Sequence, residues 1–389
     1  MATDTKACRI VHLTSAHPAL DVRIFHKECR SLARAGYEVV QVGNYDLNDT
    51  IDGVRLRGLG SNRGRFQRFT SKLVVICREA FRIKGDLYHV HDPDLLIVGL
   101  ILRAAGRRVV YDIHEDLPTK ILLKMYLPKA IRKPLQWIVE RVEDAAASFM
   151  SGLIAATPAL KDRFLNVNPN VVTVNNYPVL EEFARPATVD WKTRRRAVTY
   201  FGGISEARGI KEMLTAVNLL PRNLDVKLEL AGWFYVKALQ TELTATPQWQ
   251  CVNWYGELDR NGLTTLLNGV VAGLVILHPE KSFIVSQPTK LFEYMAAGIP
   301  VIASDFSFWR SIIQEANCGI LVNPFDTQAI AAAIDYLVSN PREAETMGQR
   351  GRIAVEKRFN WSNEERTLLL FYSSLLADRG VLDAEVLAA

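Results

Sequence analysis

Two stretches of this 389-residue chain carry glycine, basic and acidic residues at spacings that suit a phosphorylated ligand. In the first, residues 287–303, Pro288 fits the opening turn of a helix, Gly298 fits its stop, and Pro300-Val301-Ile302-Ala303 begins a buried strand. The amides of Thr289 and Lys290 would then point out of the helix N-terminus, where the dipole and unpaired N–H groups favour an anion. One turn on, Glu293 is placed to accept hydrogen bonds from a ribose diol. Spacing alone equally allows an ordinary amphipathic helix with Glu293 in solvent. In the second stretch, residues 200–210, a strand runs into Gly202-Gly203 and then Arg208-Gly209, ahead of a helix. Glycines let backbone approach a phosphate, and Arg208 would neutralise it. The plainer alternative is a tight turn with an exposed arginine.

Three further groups lie nearer the N-terminus. His114 follows a buried strand, at the end where active-site groups gather in parallel sheets. A histidine poised near neutrality can hydrogen-bond a developing charge there. Asp21 is a natural helix cap, whereas Arg23, in the first turn, opposes the dipole and suits contact with an anion. Asp92-Pro93-Asp94 has the look of a metal-binding D-x-D, but it reads more simply as a helix start, with Asp92 as N-cap and Pro93 at the first helical position.

The elements that must position these groups follow from the hydrophobic pattern. Strands are expected at 8–13, 37–42, 87–91 and 108–113, with helices from Asp21 to Gly36 and from Pro93 to about Ala105. A polar, basic linker is expected over 185–196. A second series of strands follows at 197–201, 226–231, 252–255, 273–277, 300–303 and 320–322, with helices at 210–220 and 327–339 between them. Strands alternating with helices mean parallel βαβ units and hence an α/β chain of two Rossmann-like halves, with ligand bound beyond the strands' carboxyl ends.

The pattern from Gln287 to Ala303 closely resembles the donor-site helix of glycosyltransferase family 4 (GT-B fold, retaining, group 1), written E-x(7)-E followed by A-x-G-x-P-V-I/V-A. Glu293 matches the family's second glutamate, and Val285 stands where the first would be. Residues 200–210 resemble the family's G-R-x(4)-K-G loop, with Arg208 at the lysine position and Gly203 in place of the arginine. His114 matches the histidine that lies against the donor sugar. His17-Pro18-x-x-Asp21-x-Arg23-Ile24 resembles a subset of the family in which this loop replaces a glycine-rich one. The resemblance implies a GT-B fold, two Rossmann-like domains facing each other across a cleft: 1–185 on the acceptor side, 197–358 binding the nucleotide-sugar, and a helical tail, 359–389, crossing back. It implies donor contacts from Gly202, Gly203, Arg208, Gln287, Thr289, Lys290, Leu291 and Glu293, with backbone of residues 283–287 supplying part of what the missing carboxylate would. His114 and Arg208 would serve the chemistry, and Asp21 and Arg23 would face the acceptor cleft. No metal and no cofactor are expected.

Composition narrows the setting. Hydrophobic residues at 49 % and charged residues at 23 % leave ample apolar surface for two cores. Five cysteines without a C-x-x-C pair read as reduced thiols and suggest a cytoplasmic protein. The N-terminal apolar run is too short for a signal peptide, and the longest apolar stretch, 95–102, falls well short of the roughly 20 residues that cross a bilayer. Two basic, apolar-interleaved segments stand out: Arg63, Arg65, Arg68, Lys72, Arg78, Arg82 and Lys84 in one, Lys120, Lys124, Lys129, Arg132 and Lys133 in the other. They suit either an anionic membrane surface, and with it a lipid-linked acceptor, or a solvated helix face. Nucleic acid is disfavoured, since no binding motif accompanies the charge. The expectation is therefore a glycosyltransferase working from a nucleotide-sugar on a lipid-linked or saccharide acceptor in cell-surface polysaccharide synthesis, peripheral at the inner face of a membrane. The alternatives are a non-catalytic nucleotide-sugar-binding or scaffold protein and a sugar-nucleotide epimerase. A nicotinamide dehydrogenase is unlikely because no G-x-G-x-x-G follows the first strand.

Overall fold

The computed structural model describes residues 7–60, 71–123, 127–183 and 191–377. The chain divides into two compact units, Met1–Asn176 with Ser362–Ala389, and Tyr177–Trp361.

The first unit is built on eight strands: β1 (Arg9–Thr14), β2 (Glu38–Gly43), β3 (Asn48–Ile51), β4 (Val54–Gly58), β5 (Leu87–Val90), β6 (Arg108–Ile113), β7 (Gly152–Ala155) and β8 (Val171–Thr173). They lie in the order β3-β4-β2-β1-β5-β6-β7-β8, all pairs parallel except the β3–β4 ribbon at one edge. The central strands are apolar on both faces because helices cover both; Ile10, Val11, Leu13, Leu87, Val90, Val109 and Val110 are all buried. The helix expected from Asp21 is not regular. Over Ile24–Cys29 it widens to i→i+5 hydrogen bonding, as in Glu28 N–H to Arg23 O at 3.0 Å, and only Arg30–Arg34 is α-helical. The helix expected from Pro93 opens as a tight turn, Pro93–Leu95, before Leu96–Ala104. The C-terminal helix Trp361–Leu376 packs in this unit, where Glu364 accepts from the backbone N–H (2.7 Å) and side-chain amide (3.1 Å) of Asn175.

The second unit holds β9 (Ala197–Phe201), β10 (Lys227–Ala231), β11 (Val252–Trp254), β12 (Ala272–Val275), β13 (Val301–Ser304) and β14 (Gly319–Val322). Their order, β11-β10-β9-β12-β13-β14, is the doubly wound 3-2-1-4-5-6 of a dinucleotide-binding sheet. Every pair is parallel. In such sheets ligands bind where the order reverses, which here is between β9 and β12, and between β1 and β5 in the first unit. The expected linker is in part a packed segment. Residues 184–190 lie outside the described residues, but Trp191 and Arg194 are buried, with the Arg194 guanidinium 4.1 Å above the Trp191 ring and donating to the carbonyls of Leu267 and Val270.

Candidate functional site

At the reversal in the second unit, β9 is followed by Gly202, whose φ of +105° falls where only glycine is unstrained. At the next residue, Gly203, a Cβ would meet the exposed Tyr235 ring at 2.4 Å, so any side chain there would have to displace that ring. Tyr200 ties the loop together by donating its hydroxyl to the Gly203 carbonyl at 2.7 Å. Two cations join it. Arg208, in the turn Glu206–Arg208, lies 5.5 Å from the Tyr235 ring and 5.8 Å from the Phe283 ring. Lys290, in the first turn of the helix Thr289–Ala296, is buried with its Nζ 4.9 Å from the Tyr200 ring and 3.7 Å from where a Gly202 Cβ would stand. Among the described residues, neither has a carboxylate within ion-pair distance. Burial first, and the Arg208 charge second, bring Lys290 down to about 7. A buried cation at the positive end of a helix, beside a second cation, is costly until an anion joins it.

The remaining donor-side expectations fare unevenly. Glu293 is buried and held by Arg260, whose Nη1 donates at 2.7 Å, while Arg260 also pairs with Glu182. Leu291 is fully buried and its N–H already donates to the Pro288 carbonyl, so it is a core residue with no group left for a ligand. Gln287 carries a buried side-chain oxygen with no hydrogen-bond partner. Thr289 opens the helix as its first residue. Val285, at the missing carboxylate, is 57 % exposed. The backbone beside it is pinned by Trp309, whose Nε1–H donates to the Ser286 carbonyl at 2.8 Å.

In the first unit, period-2 alternation and register gather histidines on one sheet face. His12 of β1 pairs in register with His89 of β5, and His91, Asp112 and His114 continue that face. Asp112 is the hub. It accepts from Arg23 Nη2 (2.9 Å) and Nε (3.1 Å), His91 Nδ1 (3.2 Å) and His114 Nε2 (3.0 Å). Burial pushes its carboxyl up, but Arg23 and His114 outweigh that and hold it well below the usual carboxylate range. Behind it, His12 Nδ1 is 2.8 Å from His91 Nε2, and Tyr372 of the C-terminal helix is 2.6 Å from His89 Nδ1. Glu28 lies 3.0 Å from Arg23 Nε but off the line of its N–H, and burial, then Asp112, push it well above its ordinary value. His12, Glu28, His89 and His91 bring metal-type donor atoms within 4.8 Å of one another. The 2.8 Å His12–His91 contact, however, is a hydrogen bond, whereas two ligands of one ion with bonds of about 2.0–2.1 Å stand farther apart. That bond belongs to a chain running from His12 through His91 to Asp112, beside which Glu28 Oε1 and Oε2, His12 Nε2 and His89 Nε2 are buried with no hydrogen-bond partner.

Two expectations are corrected here. Arg23 does not face an anion from outside: it is buried, spent on Asp112, and donates its Nη1 to the Val174 carbonyl at 2.8 Å. Asp92 stands at the cap position with Pro93 after it, as expected, but its side chain does not cap. It accepts instead from Thr14 Oγ1 (2.8 Å), Ser15 N–H (2.7 Å) and Ala16 N–H (3.3 Å). Asp21 does cap, accepting from the amides of Arg23 (2.8 Å) and Ile24 (2.9 Å). The sequence does not single out Asp112, Arg260 or Tyr235, and it places His17 and Asp92 in motifs without indicating their contacts with each other. The D-x-H of Asp112 and His114, two residues apart at a strand end, is the available signal for Asp112.

Of the basic segments, Arg63, Arg65, Arg68 and Lys124 lie outside the described residues. Lys72 is half-buried, and its ammonium donates to the carbonyls of Leu59 and Gly60. Arg78 and Arg82 are exposed on the helix Ser71–Ile83 beside Val74 and Phe81. Lys129, Lys133 and Arg141 are exposed on Lys129–Ser148 beside Ile131, Trp137, Ile138 and Val142. No described helix is long and apolar enough to cross a membrane.

Two doubly wound units of this kind define the GT-B architecture, and known proteins agree. Residues 184–354 match the family described as glycosyl transferases group 1, and residues 22–177 match the glycosyl transferase 4-like domain. The chain belongs to the group 1 glycosyltransferases, and it is a glycosyltransferase. It is 24 % identical over 304 residues to the MMP alpha-(1->4)-mannosyltransferase of Mycolicibacterium hassiacum, covering 76 % of this chain and 72 % of that one. It is 24 % identical over 297 residues to the phosphatidyl-myo-inositol mannosyltransferase of Mycobacterium leprae, covering 75 % and 74 %. Among solved structures, the sucrose-phosphate synthase of Thermosynechococcus elongatus superposes with a TM-score of 0.75 at 19 % identity, covering 95 % of this chain and all of that one.

Proposed function

We propose that the enzyme moves a sugar from a nucleotide-sugar, with retention of anomeric configuration, onto a saccharide or lipid-linked acceptor in cell-surface glycan synthesis. The observation that carries this reading is the pair of unneutralised cations, Arg208 and buried Lys290, beside Gly202. A diphosphate relieves both, and more so as it departs and gains charge in the transition state. Gly203 and the helix start at Thr289 offer backbone, Gln287 an unpartnered side-chain oxygen, and Glu293, steadied by Arg260, a carboxylate for the ribose. His114 contacts the sugar. No metal enters the chemistry, because these cations take its place at the diphosphate. Mannosyltransferase relatives favour mannose as the sugar, and the relative named for phosphatidyl-myo-inositol favours a lipid-linked acceptor.

An anionic membrane surface is the proposed setting, supported by the exposed apolar and basic residues of Ser71–Ile83 and Lys129–Ser148. Melting temperature with and without ligand tests the donor reading. Uridine or guanosine diphosphate should raise it well above what the matching nucleoside does, because a ligand that binds only the folded chain stabilises it. Arg208→Ala should erase the difference. If no nucleoside diphosphate stabilises the wild-type chain, the donor-site reading is wrong.

A further inference from the structure

We propose that His17 is a second substrate-contacting imidazole of the first unit, oriented by Asp92 and Thr14 so that its Nε2 accepts a hydrogen bond from a saccharide hydroxyl beside His114. The inference rests on the glycosyl-transfer reading above and assigns a residue that reading does not use.

Hydrogen accounting fixes the ring. Thr14 Oγ1 gives its hydrogen to Asp92 Oδ2 at 2.8 Å, so towards His17 it can only accept. It already accepts the His17 backbone N–H at 3.1 Å and lies 3.2 Å from His17 Nδ1. Asp92 Oδ1 is 3.4 Å from the same ring nitrogen. Two acceptors and no donor face Nδ1, which therefore bears the hydrogen, and the neutral ring keeps its lone pair on Nε2. Asp92 stays ionised despite burial because His17, Ser15 N–H and Thr14 together hold its carboxyl below the ordinary range.

His114 repeats the arrangement with its nitrogens exchanged. Its Nε2 gives a hydrogen to Asp112 Oδ2, leaving Nδ1 as the free acceptor. The two rings lie 5.0 Å apart at 30°. Of the five histidines near the carboxyl ends of β1, β5 and β6, His12, His89 and His91 are fully buried, whereas the side chains of His17 and His114 are 27 % and 21 % exposed. Only these two present a ring nitrogen to a ligand. They do so at the strand-order reversal, each backed by a carboxylate.

The charges facing His17 decide its pH response. Burial lowers its proton affinity, but Asp92, then Asp21 and Asp112, raise it, and the balance lies above the ordinary 6.5. An accepting Nε2 must be unprotonated, so the contact is made above that value and lost as acid protonates the ring.

The test begins with the full-length chain carrying 15N-labelled histidine. The neutral His17 ring should show its hydrogen on Nδ1, and a neutral Nε2–H ring would overturn the proposal whatever the substrate. Transfer is then measured from GDP-mannose and UDP-glucose to p-nitrophenyl glycosides. His17→Phe should raise acceptor KM about tenfold, the worth of one hydrogen bond, with donor KM and melting temperature unchanged. His17→Gln, whose amide oxygen can stand near the Nε2 position, should recover most of that loss and flatten the acid limb of kcat/KM. Equal acceptor KM in wild type and His17→Phe, or an acid limb that survives in His17→Gln, would sink this proposal alone. Failure of the wild-type chain to turn over either donor would bring down the glycosyl-transfer reading and this proposal with it.

Discussion

Both sheets reverse their strand order near the middle, and both gather charge there, but they balance it in opposite ways. In the first unit the guanidinium of Arg23, the carboxylate of Asp112 and the rings of His91 and His114 satisfy one another inside the protein. In the second, Arg208 and Lys290 have no carboxylate within ion-pair distance among the described residues. Charges that are already paired hold a fold and aim a side chain, whereas charges left over are a binding site awaiting its counter-ion. A charge removed from the first unit should therefore cost stability, and one removed from the second should cost ligand.

The largest effect is expected at Arg23. Arg23→Met strands the buried Asp112 carboxylate, and breaking a buried pair from one side typically costs about 3–5 kcal/mol. Denaturant midpoints should fall accordingly, whereas Arg208→Ala should stay within about 0.5 kcal/mol of wild type. An Arg23→Met protein as stable as wild type would erase the contrast between the two units.

Lys290 sharpens the comparison through pH. Its proton affinity in the fold, about 7, lies below the ordinary 10.5, so between those values the unfolded chain binds the extra proton. Stability of the ligand-free protein should thus rise with pH across that window, by up to about 1.4 kcal/mol per unit. Lys290→Met should flatten the slope without unfolding the chain. The sign reverses for ligand: a diphosphate prefers the protonated amine, so its affinity should fall as pH climbs above 7. Calorimetric titration of UDP at pH 7 and pH 9, in wild type and Lys290→Met, reads both effects.

Glu293→Ala should weaken nucleotide binding by about 1.5–3 kcal/mol, or roughly ten- to hundredfold, with the fold retained because Arg260 keeps Glu182 as a partner. Donor affinity unchanged in the folded variant would leave Glu293 a structural partner of Arg260 and nothing more.

What could be read from the sequence divides along the same line. The strands 108–113 and 197–201 fall where hydrophobic runs bounded by polar residues place them, and most others shift by one or two residues. β3 and the three-residue β8 carry too little apolar pattern to be seen, whereas the V-R-L-R alternation of β4 and the apolar run of β7 are legible but short. The second unit's loop and helix were legible because each is local: Gly202, Gly203 and Arg208 lie within seven residues, and Lys290 sits at the start of a marked helix. The first unit's network was not, because its contacts are long-range. Arg23 and Asp112 are 89 residues apart, and Thr14 and Asp92 are 78 apart. Asp-Pro places Asp92 correctly at the start of its turn, but local reasoning stops there, and the partners of its side chain come from β1 and the residues after it. Arg23 was judged unhelpful to its helix dipole, which is sound, but the anion it meets is an internal carboxylate.

The smallest effect lies on the surface, where charges are exposed and dispersed, Arg82 making only a 3.8 Å contact with Glu79. Arg78 and Arg82 on one helix, and Lys133 on another, are exposed beside Val74, Phe81, Trp137 and Ile138. Each basic side chain near an anionic bilayer contributes about 1 kcal/mol, over a reach of roughly 8 Å at physiological salt. Replacing all three with Glu should therefore release the protein from phosphatidylserine-containing liposomes in a sedimentation assay, and wild-type binding should weaken steadily as salt rises. Trp137→Ser should weaken binding with little change in salt dependence, since it removes buried apolar area and no charge. UDP affinity should be untouched in both variants, because Arg208 and Lys290 belong to the other unit. Equal wild-type binding to neutral and anionic liposomes would remove the electrostatic part of the argument. No binding to either would make these helices solvated faces and favour a soluble saccharide acceptor.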